Sequence, residues 1–191
     1  MFFVDIRGYT SFSEGRGAEE IFSTVNRYTE AVSQVVSRHG GRVVEFNGDG
    51  MMAVFGAPRE LEQKERSSVA AAIETVEAVA ALDVDGDTPL VVGVGIATGN
   101  AFVGNIQAVD RLIWSAIGNT TNLAARLQSL TRDLDAAIVI DGPTWRCLAA
   151  GAGGFERRGP VEIRGRTQPQ EIWARPLGGL PGPADSVTLE P

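Results

Sequence analysis

Residues 40–56 restrict the fold of this chain more than any other stretch, because they have the pattern of a β-hairpin. The β-rich segment Arg42–Phe46 leads into the turn-forming residues Asn47–Gly50, and Met51–Phe55 is the return strand. The turn places the carboxylate of Asp49 at the hairpin tip, where a ligand can approach the backbone closely. Because aspartate is also common in turns for conformational reasons, Asp49 alone does not indicate a site.

A second aspartate ends the first predicted strand. The apolar run Phe2–Val4 leads directly into Asp5. Two strand ends that each close in an aspartate can lie side by side in a sheet, and two adjacent carboxylates repel each other unless a cation lies between them. Mg²⁺ is typically held by one or two carboxylates together with substrate phosphates. The sequence therefore indicates that Asp5 and Asp49 are candidates for a divalent-cation site.

Helical patterns flank this hairpin. Ser11 and Glu14 have the spacing of a capping box, and apolar residues then recur at helical spacing up to the Gly40-Gly41 stop. The positions of this stripe are Ile21, Val25, Tyr28, Val32, Val35 and Val36. A second helix is predicted from Glu60 to Leu82, so the hairpin lies between two helices that can pack on a sheet.

The later part of the chain is predicted to add further strands and a helix. Leu90–Ala97 and Ala101–Ile106 are expected to pair as a hairpin, and Asn119 or Thr120 is expected to cap a helix that ends near Leu130. Hairpins interleaved with strand–helix units indicate an α+β fold. We predict a ferredoxin-like antiparallel sheet, a βαββαβ core with additional C-terminal strands, with helices packed on one face.

Composition bounds the function. With 191 residues the chain is expected to form a single domain, which we place at residues 1–175, followed by a disordered Pro/Gly-rich tail at 176–191. A net charge of −7 argues against nucleic acid as a partner. The single cysteine, Cys147, excludes an internal disulfide and fits a reducing compartment. Because no apolar run approaches the length of a membrane span, we expect a cytoplasmic location without membrane contact by this domain.

Several motifs in the same order resemble the catalytic domain of the class III nucleotidyl cyclases, the adenylyl and guanylyl cyclase family. The matching segments are Val4–Thr10, the hairpin 40–56, Gly95–Gly99 with Val103–Ile106, Ile117–Leu127 and Ile163–Arg166. The resemblance extends from about Phe2 to about Trp173 and implies the same fold. Since the chain opens almost inside its first strand, we expect it to be an excised catalytic domain of a larger parent with regulatory or membrane parts.

The resemblance implies a reaction and two metal ions. A cyclase joins the ribose 3′-oxygen of a nucleoside triphosphate to the α-phosphorus, forms the 3′,5′-cyclic monophosphate and releases pyrophosphate. By resemblance, two divalent cations per site, Mg²⁺ or Mn²⁺, are held by Asp5 and Asp49, with the Ile6 carbonyl as a further ligand. One cation activates the attacking hydroxyl and the other holds the terminal phosphates.

The resemblance also assigns residues to the sugar and the phosphates. Asn122 and Arg126 are four residues apart, so a helix places them on one face. In the family the matching asparagine orients the ribose and the matching arginine stabilises charge on the α-phosphate. Arg164 stands where the family has a lysine that contacts the terminal phosphates, and Arg166 is an alternative for the same role.

The base-reading positions favour guanine. By resemblance they are Glu45, where adenylyl cyclases typically have lysine, and Ser115, which can donate or accept a hydrogen bond. An ionised carboxylate only accepts hydrogen bonds, so Glu45 matches the N1–H and 2-amino group of guanine and conflicts with adenine N1. We therefore predict GTP as the preferred substrate. The alternatives are that Glu45 points to solvent, or that it was engineered into an enzyme that had lysine.

The family implies a second copy of the chain. Glu45 is expected to face away from Asp49 on the hairpin, while Asn122 and Arg126 lie on a later helix. A symmetric homodimer would build two equivalent sites across its interface. The alternative functions are an adenylyl cyclase that makes cyclic AMP and a catalytically silent, cyclase-like regulatory or dimerisation domain. A two-metal phosphatase or polymerase is disfavoured by the helix that carries Asn122 and Arg126.

Overall fold

The computed structural model describes residues 1–82, 89–107, 112–148 and 154–179. In these ranges nine strands and five helices follow one another along the chain. The strands are β1 (Phe2–Ile6), β2 (Gly41–Asn47), β3 (Gly50–Phe55), β4 (Val92–Ile96), β5 (Phe102–Gln107), β6 (Leu112–Ile117), β7 (Ala136–Asp141), β8 (Glu156–Val161) and β9 (Gln170–Pro176). The helices are α1 (Tyr9–Ser13), α2 (Ala18–Arg38), α3 (Lys64–Ala80), α4 (Asn119–Asp133) and α5 (Gly142–Cys147).

Seven strands form one mostly antiparallel sheet in the order β2-β3-β1-β4-β7-β9-β8. Among the described strand pairs of this sheet, only β4–β7 is parallel. The predicted hairpin is present: β2 and β3 pair on either side of Gly48 and Asp49. The α+β class is therefore confirmed, and β1, which ends beside the hairpin tip, lies near the middle of the sheet.

Helices cover both faces of this sheet, so the prediction of helices on one face is wrong. Val92, Val94 and Ile96 of β4 contribute to the large core under α2 and α3. The intervening Gly93 and Gly95 face α4, where a Cβ at Gly95 would overlap the backbone of that helix. Because these glycines let α4 approach closely, a smaller core forms on its side of the sheet.

The second predicted hairpin is also wrong. β4 has β1 on one edge and β7 on the other, so neither edge is available to β5. Instead β5 pairs with β6 in a separate two-stranded sheet, with Phe102 opposite Ile117. This hairpin leads directly into α4.

Both predicted helix caps differ from the structure. Ser11 lies inside the short helix α1, and α2 begins at Ala18 after the N-cap residue Gly17. For α4 the N-cap is Gly118, and the Thr120 hydroxyl instead donates to the Asn100 carbonyl at 2.7 Å. Tertiary hydrogen bonding thus replaces the local cap.

The described part of the chain ends just after β9. Pro176 is the last residue of β9, and Leu177, which packs against the large core, begins a 3₁₀ turn that ends at Gly179. The rest of the predicted tail, residues 180–191, lies outside the described ranges. Among the helices that are described, none combines the length and apolar character needed to span a bilayer.

Candidate active site

Asp5 and Asp49 are brought together where β1 and β3 stop pairing. Asp5 is opposite Gly50, the residue after Asp49, in the last pair of that ladder. Burial raises the pKa of Asp5 to about 6, and the charge of Asp49 with its hydrogen bond to Asp5 adds to the increase. Two neighbouring carboxylates repel each other when both are ionised, and a bound cation would reduce this repulsion.

The Ile6 carbonyl points toward the hairpin tip that carries Asp49. The N–H of Arg7 donates to the Val91 carbonyl at 2.8 Å, on the β4 side of β1. Because the Ile6 carbonyl and the Arg7 N–H belong to one trans peptide, the carbonyl points to the opposite side, beyond the last residue of β3 that pairs with β1. It therefore lies on the hairpin side of β1, where Asp49 is located.

These oxygen donors fit a hard divalent cation. Two carboxylates and a carbonyl are suitable ligands for Mg²⁺ or Mn²⁺. Within the described ranges, no group of three or more His, Cys, Asp or Glu side chains is placed to hold a metal ion. Substrate phosphates would be suited to complete the coordination of a cation held by two carboxylates and a carbonyl.

Glu45 lies in the same cleft as the two aspartates. This cleft, here called the carboxylate cleft, has a volume of about 280 Å³. Its lining residues are Phe3, Val4, Asp5, Glu45, Asn47, Asp49, Gly50, Met51, Met52 and Gln128. The expectation that Glu45 faces away from Asp49 is therefore wrong.

A β-bulge explains the position of Glu45. Val43 is opposite Ala53, but Glu45 is opposite Met52, so Val44 is an extra residue in β2. Residues directly opposite in an antiparallel ladder lie on the same face, and Met52 is in turn opposite Phe3 of β1. The bulge thus moves Glu45 to the face that carries Asp5, whereas regular alternation would have directed it toward α2.

The other predicted residues meet in a second cleft. This basic cleft has a volume of about 330 Å³ and lies between the start of α4 and the loop after β8. Its lining residues are Asn119, Asn122, Leu123, Ala125, Arg126, Ile163, Arg164, Gly165 and Arg166. The Arg166 guanidinium also donates to the Asn119 carbonyl at 3.1 Å. Three arginines around one cleft would suit an anion with several charges.

The two clefts share no lining residue. They lie on different sides of α4: Gln128 of this helix lines the carboxylate cleft, whereas Asn122 and Arg126 line the basic cleft. Ser115, half-buried on β6 opposite Gly104, lines neither cleft. A single chain thus presents two separate halves of the predicted site.

Sequence reasoning missed three polar residues near the carboxylate cleft. Asn47 and Gln128 line it, and the Arg132 guanidinium lies 3.9 Å from the Asp5 carboxylate. Gln128 is six positions after Asn122, which at about 100° per residue places it on another side of the helix. The spacing therefore indicates that α4 has polar residues on two sides. Only the packing of α4 on the sheet shows that these sides border two different clefts.

Asp5→Asn is expected to stabilise the metal-free chain at neutral pH. Because the folded-state pKa of about 6 exceeds the usual 3.8, the native state binds more protons than the unfolded state between these values. Stability is therefore lost as pH rises through this window. Asparagine removes the charge, so the variant should be more stable than wild type by about 1–2 kcal/mol at pH 7.5, and equal to it near pH 3.5.

Urea denaturation at several pH values measures this difference. Adding Mn²⁺ at pH 7.5 should stabilise wild type more than Asp5→Asn, because a ligand of the native state raises its stability. A stability difference that does not change with pH would contradict the raised pKa of Asp5, to which burial contributes most and the charge of Asp49 adds.

Comparison with known proteins places these features in a family. The model of the adenylate and guanylate cyclase catalytic domain matches residues 1–175. Adenylate cyclase 1 of Rhizobium meliloti (strain 1021) is 34% identical over 145 residues, which are 73% of this chain but 22% of that protein. An uncharacterised protein of Mycobacterium bovis, Mb1354c, is 32% identical over 188 residues, 98% of this chain and 32% of its own length. The chain thus spans about a fifth to a third of these relatives.

Solved structures of both kinds of cyclase have the same fold. The guanylyl cyclase Cya2 is 30% identical with a TM-score of 0.80, and the match covers 96% of this chain and 93% of that one. The adenylyl cyclase CyaB from P. aeruginosa is also 30% identical, with a TM-score of 0.77 and coverage of 91% and 90%. Fold and family model together show that this chain belongs to the class III adenylyl and guanylyl cyclase catalytic domain family.

Proposed function

We propose that two copies of this chain form a guanylyl cyclase, which converts GTP to 3′,5′-cyclic GMP and pyrophosphate. The observation that supports GTP is that the bulge at Val44 turns Glu45 away from α2, so that its carboxylate, which only accepts hydrogen bonds, can meet the donors of guanine. The separation of the carboxylate cleft from the basic cleft supports the dimer, because neither cleft contains all the groups that the reaction needs.

The carboxylate cleft would bind the metal ions. Asp5 and Asp49 would hold two divalent cations, with the Ile6 carbonyl as a further ligand. When bound, such cations lower the pKa of the attacking 3′-hydroxyl and neutralise phosphate charge. The charge of Asp49 adds to burial in raising the pKa of Asp5, and a bound cation would relieve this repulsion.

The basic cleft would act on the ribose and the triphosphate. Asn122 and Arg126 are both exposed on α4 and line this cleft together. Asn122 would orient the ribose, and Arg126 would donate hydrogen bonds to the α-phosphate as negative charge develops there. Arg164 and Arg166 would hold the terminal phosphates. Because this transfer requires positioning and charge stabilisation rather than covalent catalysis, these roles account for the chemistry that the chain itself supplies.

In a head-to-tail dimer, the carboxylate cleft of one copy would meet the basic cleft of the other. Glu45 and Ser115 would read the base from the copy that supplies Asn122 and Arg126. In this arrangement Glu45 would serve the active site whose metal ligands come from the other copy, although it also lines the cleft that contains the two aspartates of its own chain. Two equivalent active sites result from the symmetry.

Wild type is expected to use GTP with a higher kcat/KM than ATP, by about 10- to 100-fold. Adenine N1 opposite the Glu45 carboxylate would leave an acceptor unpaired, at a cost of about 1–3 kcal/mol. We expect Glu45→Lys to weaken GTP use, and Glu45→Lys combined with Ser115→Asp to move the preference toward ATP. Chromatographic identification of the product with each nucleotide in Mn²⁺ measures the preference.

The control for this experiment is Glu60→Lys, which makes the same charge change at an exposed residue after the far end of β3. It should keep the wild-type ratio. Mainly cyclic AMP from wild type would mean that Glu45 does not read the base, and the chain would be an adenylyl cyclase. No product from either nucleotide would instead support a silent regulatory domain.

A further inference from the structure

One arginine of α4 is paired with a proposed metal ligand. The Arg132 guanidinium lies 3.9 Å from the Asp5 carboxylate, with 58% of the Arg132 side chain and 28% of the Asp5 side chain exposed. Its charge lowers the pKa of Asp5, against the larger effects of burial and Asp49 that raise it. Arg132 is thus a cation of the chain itself at the place proposed for the divalent cations.

A second arginine fixes this geometry. Arg7 follows the metal-binding strand β1, and its guanidinium donates to the Thr131 carbonyl at 2.8 Å and also to the Ala136 carbonyl. Thr131 belongs to the last turn of α4, where carbonyl groups lack helical partners and favour a positive charge. Because Thr131 immediately precedes Arg132, these bonds hold the end of α4 beside the end of β1.

We propose that Arg132 is a built-in counterion of Asp5, which competes with the first divalent cation for this carboxylate and so lowers its affinity. The inference rests on the proposed metal role of Asp5. Arg132 is a positioning residue here, since it acts through Asp5. An ion pair whose arginine side chain is mostly exposed is weak and is screened by salt, so the metal can displace Arg132, and the affinity depends on ionic strength.

The test measures Mn²⁺ binding to the nucleotide-free chain by electron paramagnetic resonance. Arg132→Gln should bind Mn²⁺ about two- to fivefold more tightly than wild type at low salt, the size expected for an exposed pair. The difference should largely disappear near 1 M salt, where the Debye length is about 3 Å and the attraction between the two charges is screened. Arg132→Lys keeps the positive charge and should bind Mn²⁺ as wild type does.

The matched control is Arg59→Gln, which removes one positive charge from an exposed residue beyond the far end of β3. Equal gains in Arg59→Gln and Arg132→Gln, or no gain in Arg132→Gln, would overturn the proposal. Absence of Mn²⁺ binding in every variant would overturn it together with the metal role of Asp5. A gain specific to Arg132→Gln in a chain that forms no cyclic nucleotide would support the counterion and refute only the proposed function.

Discussion

Replacing either Asp5 or Asp49 with alanine is expected to lower cyclase turnover at least about 10³-fold, because metal ions contribute several kcal/mol of charge stabilisation. The fold should persist, since neither side chain belongs to the buried cores. Steady-state formation of the cyclic nucleotide in saturating Mn²⁺ and GTP measures the loss, and circular dichroism checks the fold.

The matched control is Glu60→Ala, which removes an exposed carboxylate beyond the far end of β3. It should leave turnover close to wild type. Retained turnover in a folded Asp5→Ala or Asp49→Ala chain would refute the two-metal assignment, whichever nucleotide is used.

Mixing two inactive variants is expected to restore activity. In a dimer of one Asp5→Ala chain and one Arg126→Ala chain, one site combines both altered clefts and the other combines both intact clefts. If chains exchange at random, half of the dimers are mixed, so turnover should reach roughly a quarter of the wild-type value. The measurement is cyclic nucleotide formation after the two chains have been incubated together.

The control mixes Asp5→Ala with Asp49→Ala, which alter the same cleft. That mixture should remain inactive, because every site then lacks one aspartate. If the Asp5→Ala and Arg126→Ala mixture also stays inactive, although native mass spectrometry shows mixed dimers, then the site does not cross the interface as proposed.

The sequence by itself determined much of the local chemistry. The two strands that close in Asp5 and Asp49 were recognisable because a turn and an apolar run have strong local signals. The four-residue spacing of Asn122 and Arg126 also predicted that they lie on one helix face, because residues four apart in a helix are neighbours. The motifs also indicated the family, which the family model confirms over residues 1–175.

Only the tertiary structure decided which strands pair and which faces residues occupy. Alternation in β2 predicted that Glu45 faces away from Asp49, but the bulge at Val44 reverses its face. The pairing of β5 with β6 depends on the occupation of both edges of β4, which no segment encodes alone. The position of Arg132 beside Asp5, 127 residues earlier in the chain, depends on the close packing of α4 on Gly93 and Gly95. Such contacts arise when distant segments pack together, so local patterns do not carry them.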